Sequence, residues 1–543
     1  MKPNTPRRLY YVSSHRFVMG LIGVFGLIGL GVACLVTLAS VGFDARSFEN
    51  LLSSRYFRHV ITITLIQSSL SVLCASFIGV CGALAFFRRD AFWGRKWFLT
   101  GCFSAMIMPT TVAALALLKL WGQSGLLAQT PLAAWLPDRL GLWMVIVAHS
   151  FFNAPLVMRV CLSSLEAIPQ SQKRQAALLR LSPLRYFQII DWPAIITVLP
   201  SVMGLVFLLC FTSFSLVLML GGGPSVTTLE VSIYTALRFE FNLPKAALLS
   251  FIQLCACLLI LGFFTNHRAT HTSLQRPYHQ PVTRFDTSLF MMKFCDGFII
   301  FGLFILNILP IILLLAYSDV FSGLALFGKM RFWLALYHSL GLAIGSAILA
   351  LTLAFILGYF RHEITLRGSN VLAQLIEVSH SLFLIIPALV LGTALFISLR
   401  AFVDVTSYGF WILLLGNGLL ALPFCYRIIT PSLQRHLTET DRLCALLHLS
   451  SMKRFWFITL PSLRHEMGFA LGLSAALSFG DLGIITLFGS QSFETLPYLL
   501  FQFLNRYGAD EADLLALILL TIAICLYGGF SKLVVSLGNF LTR

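Results

Sequence analysis

The sequence predicts an all-α polytopic membrane protein with about 12 transmembrane helices in two parallel-duplicated halves. Hydrophobic residues make up 58% of the 543 residues and charged residues only 11%, a composition unlike that of soluble domains. The apolar residues fall into blocks of about 20 or more, the length that a helix needs to cross a bilayer. The second half of the chain also repeats the first.

The apolar blocks define the predicted spans in chain order. Strands of a transmembrane barrel would alternate apolar and polar residues over about ten positions, and these blocks show no such alternation. The spans are predicted at residues 17–40, 59–87, 97–120, 140–165, 194–220, 244–264, 294–317, 332–360, 371–398, 408–433, 466–488 and 512–536.

The placement of Lys and Arg explains the formal charge of +16. With these spans, every second connection is basic, as at residues 88–96, 173–185 and 442–464, whereas the intervening connections mix both signs. The positive-inside rule then predicts that both termini are cytoplasmic. The charge is explained by topology, so we expect no nucleic acid partner.

The first block and the cysteines fit an unprocessed membrane protein. Arg7 and Arg8 precede it as in a twin-arginine signal, but residues 17–40 are too long and lack a small-residue cleavage site, so we predict a retained helix. The 12 cysteines lie in predicted spans or on the cytoplasmic side, where no disulfide framework is expected.

An internal repeat organises the chain. Pro155 and Arg159 match Pro423 and Arg427 at an offset of 268 residues, and the offset holds without a gap through Pro193 and Pro461. Two halves with an even number of spans have the same orientation and leave a pathway between them, as in transporters, although duplication also builds larger bundles.

The repeat sets the predicted domains. They are an N-terminal segment with the first span (1–57), a first repeat domain (58–264), a polar cytoplasmic linker (265–293), the seventh span with a periplasmic loop (294–331), a second repeat domain (332–537) and a C-terminal tail (538–543).

Each half carries a helix-forming cytoplasmic segment before its fifth span. The segments read RQAALLRLSPLRYFQIIDWP from Arg174 to Pro193 and RLCALLHLSSMKRFWFITLP from Arg442 to Pro461. Both place apolar residues at helical spacing, then a Ser-containing break, then a second amphipathic turn. Such a helix offers one side to the bundle and the other to a partner, although an ordinary basic loop is the alternative.

These segments resemble the loop signature of type I ABC importer permeases, which is Glu-Ala-Ala, three residues, Gly, nine residues, Ile, any residue, Leu-Pro. The first copy keeps Ala176 and Pro193, and the second keeps Ile458, Leu460 and Pro461. Both copies depart from the signature. The family residues are replaced by Arg174, Gln175, Arg180 and Trp192 in the first copy, and by Arg442, Cys444 and His448 in the second.

The resemblance implies the ABC type-1 permease fold and an ATP-driven importer in the bacterial inner membrane. Two ATP-binding subunits are expected to dock on these loops from the cytoplasm, and a periplasmic substrate-binding protein to deliver the substrate. The implied coupling residues are Arg174, Gln175, Ala176, Arg180, Leu181, Ser182 and Pro193, and Arg442, Leu443, Cys444, His448, Leu449, Ser450 and Pro461.

Two further stretches indicate a substrate. Residues 220–247, LGGGPSVTTLEVSIYTALRFEFNLPKAA, and 478–497, SFGDLGIITLFGSQSFETLP, resemble permeases of thiamine importers, whose fused length also agrees. The resemblance implies transport of thiamine or its phosphates. Ferric iron importers share the fused architecture and are the alternative.

Polar and helix-breaking residues within spans are candidates for the translocation path. Asp481 is the foremost because ionisable groups in a membrane are costly; it either attracts a cationic substrate or bonds a neighbouring helix. His149, Glu377 and His380 are weaker candidates. The repeat mate Ser213, Pro109 and Pro387 in the third spans, and Gly221 and Gly489 after the fifth mark either a path or packing kinks.

No motif supplies chemistry to this chain. G-x-x-x-x-G-K-[ST] is absent, so the ATPase is expected to be another chain and this one a transporter subunit without catalytic residues, cofactor or metal. An ion-coupled transporter would need several buried carboxylates near the midplane, whereas Asp481 is nearly alone in the predicted spans. A membrane enzyme would need clustered catalytic polar residues in its spans, and the sequence predicts none.

Overall fold

The structure, a computed structural model, is built almost wholly from helices. It describes residues 14–43, 49, 53–90, 92–122, 125–131, 141–179, 181–265, 289–318, 322–405, 407–489, 493–505 and 509–541. Arg180 and residues 266–288 of the predicted linker lie outside the described residues.

The α-helices are numbered in chain order. They are α1 Ser14–Gly42, α2 Arg55–Arg88, α3 Arg95–Ser104, α4 Thr110–Trp121, α5 Leu142–Glu166, α6 Gln170–Leu178, α7 Pro183–Tyr186, α8 Trp192–Phe211, α9 Ser215–Leu220, α10 Leu229–Arg238, α11 Leu243–Thr265, α12 Phe290–Leu303, α13 Leu309–Ala316, α14 Met330–Arg367, α15 Asn370–Ile385, α16 Ala388–Leu399, α17 Gly409–Leu446, α18 Ser451–Arg454, α19 Leu460–Ser462, α20 Arg464–Phe479, α21 Ile485–Phe488, α22 Leu496–Asn505 and α23 Ala509–Leu541. Three π-helical turns lie at Phe187–Asp191, Phe304–Ile308 and Phe455–Thr459, and short 3₁₀ turns at Ala105–Ile107, Leu126–Gln129, Pro224–Val226 and Ser322–Gly328.

Most of the predicted spans appear as long apolar helices. In the described part of the chain, 10 helices are long and apolar enough to cross a membrane, and α15 with α16 forms a further pair bent by 98°. The predicted span 466–488 is the 16-residue helix α20 followed by a break and the single turn α21. The fold is therefore an all-α polytopic membrane protein, with interrupted helices in place of some continuous spans.

One compact unit comprises Arg46–Ser232 and Cys255–Phe321. Its centre is the mutually packed set α2, α5 and α8, with α12 against α2 and α13 against α4. A Cβ at Gly79 would lie 2.6 Å from Val157 Cβ, so only glycine permits the close approach of α2 and α5. Buried Asp296 on α12 pairs with Arg88 and Arg89 at the end of α2, at 2.5 and 3.0 Å.

The other compact unit comprises Met1–Ala45, Ile233–Leu254 and Ser322–Arg543. Helices α14, α17 and α20 form its centre, as their counterparts do in the first unit, and α23 packs on α20. The first helix of the chain, α1, packs on α14, α15 and α16 within this unit. Each repeat core is thus covered by a helix that precedes the other repeat core in the sequence.

Candidate functional site

The two predicted coupling segments are helix–turn–helix elements with one difference between them. In the first, Pro169 follows the end of α5 and precedes the separate helix α6. Proline cannot donate an interior helical hydrogen bond, so the helix is interrupted there. The matching residue in the second copy is Leu437, and α17 continues unbroken to Leu446. The second segment is therefore an extension of a membrane helix.

Burial in the two segments follows one pattern. Between residues 173–191 and 441–459, every pair of positions whose side chains are both described has the same degree of burial. Ala176 and its mate Cys444 are buried, as are Tyr186 and its mate Arg454. Each segment therefore has a fixed inner face in spite of its degenerate sequence.

The outer faces of both segments carry large apolar side chains. Leu178 is 83% exposed and its mate Leu446 is 76% exposed. Leu179 and Leu447 are also exposed, at 71% and 59%. Clustered exposed leucines among basic and polar residues indicate a surface that a partner covers.

The turn of the second segment explains the glycine in the family signature. His448 occupies that position and has a positive φ of 47°. Its N–H donates to the Ala445 carbonyl at 3.2 Å, and the Leu449 N–H donates to the Cys444 carbonyl at 3.1 Å. These two bonds form a Schellman C-cap, whose left-handed residue favours glycine.

The first segment has the equivalent outer bond. The Leu181 N–H donates to the Ala176 carbonyl at 3.4 Å, and these two residues match Leu449 and Cys444. Arg180, which matches His448, lies outside the described residues. Because the same backbone bond forms in both segments, the two segments turn at matching positions of the repeat.

A π-helical turn leads from each segment into the next helix. The two turns, Phe187–Asp191 and Phe455–Thr459, occupy matching positions in the repeat. Pro193 and Pro461 follow within the first two residues of α8 and α19. The missing N–H of proline disrupts the regular bonding pattern, and a wider turn relieves its contact with the preceding carbonyl.

The remaining coupling candidates vary in exposure. Gln175, Ser182, Leu443 and Ser450 are exposed, and Leu181 and Leu449 are half-buried. Arg174 is exposed, whereas the side chain of Arg442 lies outside the described part of the chain.

The predicted path residues lie at helix breaks. Pro109 and Pro387 directly precede α4 and α16, so both third spans are interrupted at a proline. Ser213 lies between α8 and α9, and its mate Asp481 lies between α20 and α21. Gly221 and Gly489 follow α9 and α21, respectively.

Asp481 caps a helical turn. Its Oδ1 accepts the Gly483 N–H at 3.0 Å and its Oδ2 accepts the Ile484 N–H at 3.3 Å. The carboxylate therefore satisfies backbone donors that would otherwise be orphaned at the start of α21. It also lines a narrow cavity together with Ser339, Asn417, Ser478 and Thr495.

A second cavity is lined by two arginine side chains. It measures about 410 Å³ and its wall includes Arg238, Arg400, Asp404, Phe488 and Gly489. The Arg238 guanidinium donates to the Gly489 carbonyl at 3.0 Å. The lining therefore carries both positive and negative side chains, and it includes Gly489, which directly follows α21.

Sequence reasoning missed part of a buried polar cluster around His149. His149 Nδ1 shares a hydrogen bond of 2.9 Å with Ser71, and Gln67 donates to the Cys210 carbonyl at 2.8 Å. Asn153 donates to the His149 carbonyl. The signal that indicates this cluster is the repeat itself, because the mates of its members His149 and Cys210 are Asn417 and Ser478.

Asn417 and Ser478 are also hydrogen-bonded to each other, at 3.1 Å. At the matching positions of the first repeat core, His149 and Cys210 instead bond other members of the cluster, Ser71 and Gln67. The other weak candidates lie elsewhere: His380 stacks on Tyr426 with ring centroids 4.0 Å apart, and Glu377 lies 3.8 Å from the His380 ring nitrogen.

Comparison with known proteins agrees with this architecture. The family described as "Binding-protein-dependent transport system inner membrane component" matches residues 75–269. The "Thiamine transport system permease protein ThiP" of Brucella melitensis is 35% identical over 521 residues, covering 90% of this chain and 92% of that protein.

Two further relatives carry the same description. That of Escherichia coli is 31% identical over 485 residues, with 88% of this chain and 89% of that protein covered. That of Haemophilus influenzae is 34% identical over 480 residues, with 86% of each covered. The chain therefore belongs to the type I ABC importer permeases, the binding-protein-dependent transport system inner-membrane components, and is a multi-pass permease subunit.

Proposed function

We propose that this chain is the permease of an importer for thiamine or its phosphates. The support is the similarity over almost the whole length to three proteins described as thiamine transport permeases. The two stretches at residues 220–247 and 478–497 include α10 and α21, which flank the 410 Å³ cavity. Ferric iron, the alternative considered from the sequence, is not favoured by these relatives.

The matched outward leucines are the observation that carries the coupling mechanism. Leu178 and Leu446 protrude from turns with the same backbone bond and the same buried inner face. In our proposal, one ATP-binding subunit covers each pair of leucines, and Ala176 and Cys444 seat the segments on the membrane helices. Burying such side chains contributes about 25 cal/mol per Å² of apolar surface.

Force at these segments reaches the membrane through short covalent paths. The second segment is the end of α17 itself, and both segments lead through a π-helical turn into α8 or α19. ATP binding would move the segments, and the helix breaks at Pro109 and Pro387 would permit the membrane helices to change their arrangement. Hydrolysis would return them.

The proposal also fixes an orientation. Both segments and both termini lie in the cytoplasm, where the basic connections are expected. The cavity lined by Arg238 and Arg400 then opens toward the periplasm and faces the substrate-binding protein.

Reconstitution tests the proposal. The permease, its ATP-binding subunit and its binding protein are placed in proteoliposomes with radiolabelled thiamine, and ferric iron serves as the comparison cargo. Thiamine uptake that requires both ATP and the ATP-binding subunit is expected. Uptake that continues without that subunit and follows a pH gradient would show an ion-coupled transporter, and ATP-driven uptake of iron alone would reject the substrate.

A further inference from the structure

An ionic cluster anchors the second coupling segment on both sides of its turn. The Asp441 carboxylate, on α17 before the turn, accepts from Arg454 Nη1 at 2.5 Å and from His362 Nε2 at 2.7 Å. Arg454 lies on α18 after the turn, and His362 lies near the end of α14. All three side chains are at most 12% exposed.

Arg454 makes further bonds to the helix before the turn. Its Nη2 donates to Thr440 Oγ1 at 3.1 Å and to the Leu437 carbonyl at 3.4 Å. The guanidinium is planar and rigid, so several simultaneous bonds fix its orientation. Residues 447–450, which follow the exposed Leu446, are therefore closed at their base by side chains from both flanking helices.

The cluster also joins the segment to a different membrane helix. His362 belongs to α14, which packs along α17 and α20 in the same unit. Separating the segment from α14 would leave a buried carboxylate or guanidinium with fewer partners, which is costly in a low-dielectric environment. The turn and α14 are thus expected to move as one body.

The first segment has different chemistry at the matching positions. Lys173 stands where Asp441 stands in the second copy, and Tyr186 stands where Arg454 stands. The Lys173 ammonium lies 4.9 Å from the centroid of the Phe87 ring, near the end of α2. Lys173 thus lies over an aromatic ring, whereas Asp441 pairs with a guanidinium, and a cation–π contact is the less directional of these two interactions.

We propose that His362, Asp441 and Arg454 are positioning residues that lock the second coupling segment to α14, so that the two segments transmit ATPase motion unequally. The second segment is the stiff one, since it is continuous with α17 and is anchored by the contacts of Asp441 with Arg454 and His362. The first is the compliant one, since Pro169 separates α6 from α5. This inference rests on the proposed coupling function of both segments.

The test uses the complete transporter in proteoliposomes, with radiolabelled thiamine uptake and ATP hydrolysis measured on the same sample. Asp441→Asn is compared with Lys173→Asn at the matching position of the first segment. We expect Asp441→Asn to lower the ratio of uptake to hydrolysis about tenfold, within the usual range of coupling between sites, and Lys173→Asn to lower it less than about twofold. Asp441→Glu is expected to restore most of the ratio.

A second variant guards against simple misfolding. Asp441→Asn combined with Arg454→Met removes both charges, so no unpaired ion remains in the interior. The double variant is expected to insert normally and to remain uncoupled. A purely structural role would instead lower the amount of assembled transporter and leave the ratio unchanged.

Two results overturn the inference: a normal ratio in Asp441→Asn and the double variant, or equal losses in Asp441→Asn and Lys173→Asn. The wild-type measurement distinguishes failure of this inference from failure of the proposed function. If the proposed function is wrong, the wild-type transporter shows no ATP-dependent thiamine uptake.

Discussion

His448 shows how one backbone angle accounts for a family signature. Its φ of 47° closes the Schellman turn of the second coupling segment, and the type I signature has glycine at this position. A non-glycine residue in the left-handed region costs about 1–2 kcal/mol, less for residues such as His that tolerate it. The turn is therefore kept at some expense of stability.

Replacing His448 tests this account of the turn. His448→Gly is expected to raise the free energy of unfolding by about 0.5–1 kcal/mol because glycine adopts the angle without strain. His448→Val is expected to lower it, since a β-branched side chain tolerates the angle least. The thermal midpoint of the purified permease measures both. An unchanged or reversed order would show that the turn is not held left-handed.

Asp481 is a second residue whose role the geometry narrows. Its carboxylate bonds two backbone N–H groups, which favours a structural role over attraction of a cationic substrate. Asp481→Asn keeps a capping acceptor and is expected to leave the thiamine KM within about twofold, whereas Asp481→Ala is expected to cost about 1 kcal/mol of stability. A large rise in KM for Asp481→Asn would instead assign the charge to substrate attraction.

The third span of the second repeat is an element whose break is set by proline. Helices α15 and α16 meet at 98°, with Pro387 directly before α16. Pro387→Ala restores the missing N–H. It also removes the cost of about 3 kcal/mol that proline imposes inside a continuous helix. We expect the variant to insert normally but to transport at least about fivefold more slowly, because the altered helix obstructs rearrangement. Uptake equal to wild type would make the bend a packing feature only.

The elements differ in how far the sequence predicts them. Apolar blocks locate the long helices, and the repeat locates the coupling segments, whereas the π-helical turns that follow them were not predicted. The continuity of α17 was not expected; Leu437 in place of Pro169 keeps an N–H that can continue the helical bonding at this position. The polar cluster around Gln67 and Asn153 was missed because single polar residues in apolar spans have no local periodic signal.

At the scale of the molecule, the two compact units do not follow chain order. Helix α1 belongs with the core of the second repeat, and α12 belongs with that of the first. Hydropathy predicts that these helices exist but not what they contact, since partners such as Asp296 and Arg88 are distant in sequence. Each repeat core therefore packs against a helix from outside its own repeat, α12 for the first core and α1 for the second.

Two glycines of α1 test this dependence as a matched pair. A Cβ at Gly20 would lie 2.3 Å from Phe360 Cγ on α14, whereas a Cβ at Gly26 would meet nothing within 4 Å. Gly20→Ala is therefore expected to cost about 1–3 kcal/mol through overpacking, and Gly26→Ala to be neutral or stabilising. Thermal midpoints of the two variants compare them. Equal midpoints would contradict close contact between α1 and α14.

In the proposed mechanism, the two outward leucine pairs receive the ATP-binding subunits. Leu178→Ser and Leu446→Ser, alone and together, are compared with Trp93→Ser, a change at a still more exposed residue outside both segments. Each loss of a buried leucine contact is expected to weaken binding of the ATP-binding subunit to the permease in nanodiscs by about tenfold, or about 1.4 kcal/mol, with Trp93→Ser unchanged. Affinity of the double leucine variant equal to that of Trp93→Ser would contradict the account.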